Sequence, residues 1–186
     1  MYSSALNTYD GILQSTKDSF NQQIGDTLNN FLGGNTGGIT TITFSSTVIN
    51  NGAIPFKYTK DGGSVLPGVS WTAVGSAQSY AYVINHTNSS MSTNHLLLKN
   101  IPSTVTSLQD GTLGGGVAIT NSFGVEGYTG PEKLATSQTY NFHVYALKVS
   151  TINSTSALAF YSDLESNKVG VGSFTGTYVN NTLLFV

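Results

Sequence analysis

The sequence predicts a mainly β protein, an antiparallel β domain preceded by an N-terminal helix. Three observations predict it. Apolar residues recur at helical spacing only over residues 4–32 and in one later segment. A glycine-rich stretch, GGNTGG at 33–38, ends the first pattern. Beyond it, β-branched and aromatic residues alternate in short runs separated by turn signals.

In the first segment Leu6, Tyr9, Leu13, Phe20, Ile24, Leu28 and Phe31 fall near one face. Gly11 and Gly25 each cost about 1 kcal/mol in a helix interior, so the segment is one interrupted helix or two shorter ones. The expected organisation is an amphipathic helical extension over 1–32, a flexible joint over 33–38, and a β domain over 39–186. Strands are expected at 39–49, 79–85, 95–101, 139–149 and 171–179. In the fourth, Tyr140, Phe142, Val144 and Ala146 share one face; Asn141, His143, Tyr145 and Leu147 share the other. Asp61-Gly62-Gly63 and Asp110-Gly111 mark turns. One helix interrupts at 154–167, with Ser154 or Thr155 as N-cap.

Composition narrows the function. The chain is 39% hydrophobic with mean hydropathy −0.01, enough for a core. Charged residues are 9%, against about 25% in an average soluble protein. The net charge is −2 and all seven basic residues are lysines, so no arginine-rich field exists to grip nucleic acid. Cysteine is absent, which removes disulfides, thiolate catalysis and cysteine-ligated metals. No run of 18 apolar residues is present, and residues 1–30 lack a signal-peptide pattern. The low-charge surface rich in Ser, Thr, Asn and Gly leans to a secreted, cell-surface or periplasmic setting, with the cytoplasm as the alternative.

No Gly-x-Ser-x-Gly elbow, His-Glu-x-x-His pair or phosphate-cradling loop occurs, so an enzyme is not expected. His86 and His95 offer two metal ligands where zinc or copper takes three or four, so neither a metal nor a cofactor is expected. Four Asn-x-Ser/Thr triplets, at Asn85, Asn88, Asn153 and Asn180, read as glycan acceptors or as turn chemistry. Of these, Asn88 and Asn153 are the better acceptors. Trp71, the sole tryptophan, reads as packing, as do Tyr80, Tyr82 and Tyr128 in core or rim.

Four fragments, IPFKYTKDGGSVLPGVSW (54–71), NIP (100–102), NSFGVEGYTGP (121–131) and YNFHVYAL (140–147), together resemble the phosphatidylethanolamine-binding protein family. That group includes the bacterial and archaeal Raf-kinase-inhibitor-like proteins. The resemblance implies a large antiparallel sheet packed on a smaller one, Greek-key in connection, with peripheral helices. It also implies a small anion pocket and a binding rather than catalytic role. Residue by residue it assigns that pocket to His86, Asn88, His95, Gly130, Pro131, Gln138 and Tyr140.

The match is incomplete. The family's Asp-Pro-Asp-Ala-Pro motif is replaced by His86-Thr87-Asn88-Ser89-Ser90, and Gln138 stands in a family histidine's place. Without those carboxylates, His86 and His95 should lean neutral near pH 7. The expectation is a non-enzymatic binding protein with an altered pocket for a small polar or phosphate-like ligand. The alternative is a structural or assembly protein whose N-terminal helix docks on a partner or a second copy.

Overall fold

The computed structural model describes residues 38–49, 52–87, 92–132 and 136–178. All but Gly38 belong to the unit Ile39–Val186. The expected helix over 4–32, most of the glycine-rich joint, Asn88 and Asn180 lie outside the described residues.

Among the described residues nine strands form two sheets. They are β1 (Thr40–Thr41), β2 (Phe44–Ser45), β3 (Val69–Trp71), β4 (Ser79–Thr87), β5 (Ser92–Pro102), β6 (Ser107–Leu108), β7 (Val117–Ala118), β8 (Gln138–Leu147) and β9 (Lys168–Tyr178). The larger sheet runs β1-β9-β8-β4-β5-β7 and the smaller β2-β3-β6. The helix α1 (Ala157–Asn167) connects β8 to β9.

The long strands form because both of their faces are covered. Tyr80, Tyr82 and Ile84 of β4, Leu96, Leu98 and Ile101 of β5, and Tyr140, Phe142 and Val144 of β8 share a core with Phe44, Val69 and Trp71 of the small sheet. On the opposite face Ala81, Val83, Leu97 and Leu147 pack with Phe160 and Leu164 of α1 and with Ile152. Burying each large side chain from α1 contributes about 1.5–3 kcal/mol. Trp71 packs edge-on against Tyr80 and Phe44, as a core residue.

Two local expectations need correction. The 39–49 run is not one strand. β1 pairs parallel with β9, through Thr40↔Gly170 and Thr41↔Val171, whereas β2 pairs antiparallel with β3 in the other sheet. The segment crosses between layers, and the large sheet is mixed rather than wholly antiparallel. Its passage over β9 is close: a Cβ on Gly172 would lie 2.5 Å from the Ile42 carbonyl oxygen. The cap of α1 is Ser156, not Ser154 or Thr155; its Oγ accepts from the Ala159 N–H at 3.3 Å. The Ser154 carbonyl instead accepts from Lys99 Nζ at 2.5 Å, which holds that residue outside the helix.

Candidate binding site

The expected site residues come from three places in the fold. His86 lies near the end of β4, His95 in β5, and Tyr140 in β8. A bulge brings the histidines together. Ile84 pairs with Leu96, but Asn85 pairs with Asn94, leaving His95 as the extra residue. His95 and Leu96 therefore point to the same side, although strict alternation would separate them. Asn94 points the other way and accepts from the Tyr161 hydroxyl at 2.7 Å.

His86 Nδ1 and His95 Nε2 are 2.9 Å apart. His95 Nδ1 is 2.6 Å from the Thr129 carbonyl oxygen. Tyr140 lies against both rings, at 5.1 Å between centroids, and Phe123 covers His95 at 5.1 Å. His95 is 1% exposed and His86 7%. Burial pushes the His95 imidazolium down to about 4 and lowers His86 in the same direction. Burial also pushes the Tyr140 hydroxyl up to about 12.

The loop after β7 supports this arrangement. Thr129 donates its N–H to the His95 carbonyl at 3.0 Å and accepts from the His95 ring, so one residue holds both ends of the histidine. Asn121 braces the loop. Its amide reaches the His95 carbonyl, the Gly127 carbonyl and Thr129 Oγ1 at 2.9–3.2 Å, and its Oδ1 accepts from the Phe123 and Val125 N–H groups. Gly124, at φ +76°, makes the turn inside it. Replacing Asn121 by alanine is expected to cost about 1–3 kcal/mol, because several buried polar groups lose their partner. The His95 ring signals should shift in the same variant. Unchanged ring signals would show that the loop holds without its brace.

Gly130 and Pro131 press on the segment Tyr58–Lys60. The Gly130 N–H donates to Ser64 Oγ at 3.0 Å, and the Lys60 N–H donates to the Pro131 carbonyl at 3.0 Å. A Cβ on Gly130 would meet the Tyr58 carbonyl oxygen at 2.4 Å, so close approach, not an unusual φ, requires glycine there. Gln138 opens β8 on the face of Tyr140, but its Nε2 donates to Thr136 Oγ1 at 2.9 Å and no bond joins it to the histidines. Asn88 lies outside the described residues. His143 stands on the opposite face of β8, beside Tyr145.

Sequence reasoning overlooked several neighbours. Glu132 lies close enough for its charge to act on His95 and Tyr140, although no nearby carboxylate was evident in the sequence. It pairs with Lys60, whose Nζ sits 5.7 Å from the Phe123 ring centre. Its position directly after the Gly-Pro pair was the available signal. Among the described residues no three His, Asp or Glu side chains are grouped to hold a metal.

A cavity of about 370 Å³ lies elsewhere, on the small sheet, lined in part by Thr47, Ser70, Ser107 and Asp110. Its one carboxylate is already engaged. Asp110 accepts from Lys57 Nζ, the Tyr58 hydroxyl and the Gly68 N–H, each at 2.8 Å. The histidine site is the better candidate because its ring nitrogens form an ordered chain with one end toward no described partner.

Relatives agree with this fold. The structure of a phosphatidylethanolamine-binding protein homologue, CT736 from Chlamydia trachomatis, matches with a TM-score of 0.70 at 21% identity, covering 76% of this chain and 99% of that one. At that identity the likeness concerns the fold. Escherichia coli YbcL, described as a member of the mammalian PEBP family, matches with a TM-score of 0.67 at 26% identity, covering 74% and 97%. No curated protein matches the sequence. A family profile described as phosphatidylethanolamine-binding protein matches residues 44–179, which take in both sheets beyond β1, the helix and the histidine site, and the chain therefore belongs to the phosphatidylethanolamine-binding protein family.

Proposed function

We propose that this protein is a non-enzymatic binding module that receives a small polar ligand beside His86, His95 and Tyr140. The observation that carries the reading is the buried histidine chain, closed by two aromatic rings and tied to the Thr129 carbonyl just before the Gly130-Pro131 pair. A fold that only needed packing there would use apolar side chains, since each buried polar group must be compensated. The non-catalytic part of the reading rests on the sequence, which has no nucleophile elbow, His-Glu-x-x-His pair or phosphate-cradling loop.

The experiment is a titration of the full chain with phosphate, phosphoethanolamine and ethanolamine, followed through the His86 and His95 ring signals. Saturable shifts of both rings are the expected result. Silence of both rings toward every probe would make the site vestigial.

A further inference from the structure

The proton positions in the histidine pair follow from its partners. A carbonyl oxygen only accepts, so His95 Nδ1 carries a hydrogen toward Thr129. In neutral His95 the Nε2 atom is then a lone pair. The 2.9 Å contact requires His86 Nδ1 to donate. Neutral His86 is thereby left with a lone pair on Nε2, for which no described residue is a partner. The chain runs from His86 through His95 to Thr129, and its outer end is an acceptor.

One added proton reverses that end. If His86 holds it, Nδ1 and Nε2 both carry hydrogen and the bond to His95 stays intact. If His95 holds it, His86 must turn its Nδ1 lone pair inward, and its own hydrogen moves to Nε2. In both arrangements His86 Nε2 becomes a donor. A second proton would place two N–H groups face to face across 2.9 Å, so the pair accepts only one in this geometry.

Among the described residues, the ionisable groups near the pair are Tyr140 from β8, which interacts with Tyr128 of the loop and Tyr178 of β9, and Glu132 with its partner Lys60. Burial raises the Tyr128 and Tyr140 hydroxyls, so both keep their protons throughout the range in which histidine titrates. Glu132 favours the added proton on His95.

Resting on the binding role proposed above, we propose that the His86–His95 pair is a one-proton polarity switch. Neutral, it receives a hydrogen-bond donor, a hydroxyl or ammonium, at His86 Nε2. It receives a phosphate-like oxyanion only together with one proton.

Two measurements on the full chain test this. The first is the tautomer of each ring at pH 7.5, read from ring ¹⁵N–¹H correlations. Both rings are expected to carry hydrogen on Nδ1; a His86 ring protonated on Nε2 overturns the switch. The second is affinity against pH for sulfate, whose charge is constant over the range, and for ethanolamine, which remains an ammonium. Above the apparent pKa of the pair, sulfate affinity should fall about tenfold per pH unit, the slope for one proton. Ethanolamine affinity should rise with pH and level off once the pair is neutral. His86→Gln should make sulfate binding weak and flat. Sulfate binding that is flat in the natural protein, or that falls with a two-proton slope, overturns the switch while leaving the binding role intact. Failure of both probes at every pH would instead overturn the binding role, and the switch with it.

Discussion

Replacing Phe142 by alanine is expected to lower the unfolding free energy by about 3–5 kcal/mol, the range for removing a large buried aromatic side chain. Phe142 is fully buried in the middle of β8. Its ring stacks on Phe174 of β9 at 4.7 Å and 8° between planes. The space cannot close easily, because neighbouring Gly176, where a Cβ would meet the Phe142 ring at 3.2 Å, has no side chain to move into it. Urea unfolding of the variant and the natural chain checks the value. A loss below about 1 kcal/mol would show that Phe174 swings in to fill the void, contrary to close packing on both sides.

Acid should weaken the domain well before its carboxylates titrate. The His95 imidazolium is pushed from 6.5 in the unfolded chain to about 4 in the folded one, mainly by burial. Between those values the unfolded chain binds the proton and the folded chain does not, so stability rises with pH. The contribution is complete above pH 6.5 and is lost as pH falls toward 4. At about 1.4 kcal/mol per pKa unit, the loss approaches about 3 kcal/mol. His86 is lowered in the same direction and adds to it. Urea midpoints at pH 7.5, 6, 5 and 4 should decline, and His95→Gln should flatten the decline. A midpoint constant over that range would mean that the pair takes up its proton without strain. A ligand that arrives with a proton would also oppose the loss, so adding sulfate at pH 5 should restore part of the midpoint.

Much of the domain was legible because its central strands follow simple rules. Alternation over 139–149 separated Tyr140 and Phe142 from Asn141 and His143, and the two sets do lie on opposite faces. The 39–49 run defeated the same reading. Its β-branched residues satisfy a strand pattern wherever they lie, and nothing local marks the point between Thr41 and Phe44 where the chain leaves one sheet for the other. The helix start was misplaced by one or two residues because three hydroxyl residues precede α1, and only the folded chain shows that Lys99 engages Ser154 while Ser156 makes the cap bond.

The candidate site divides in a similar way. His86, His95 and Tyr140 were identified through family resemblance, and the fold brings them together. Their mutual bonding depends on a one-residue bulge that no periodicity reveals. Asn121, Thr129, Phe123 and Glu132 sit in or beside the glycine-rich loop, where their side chains read as ordinary turn residues until the loop is folded onto β5. Gln138 illustrates the converse. Matching position placed it in the pocket, but its amide is engaged with Thr136 in its own strand entry.

The bare surface of Gly172 has a consequence for assembly on the ribosome. The segment around Ile42 crosses directly over it, and the Ile42 N–H donates to the Val171 carbonyl at 2.9 Å. The first described strand thus finds its seat on the last described one. Until β9 emerges, β1 has no partner among the described strands and Ile42 lacks the strand it crosses, whereas Phe44 already has Trp71 of β3 to pair with. Such distant pairing slows folding, and it makes the nascent chain, rather than the finished protein, the form most exposed to misassociation.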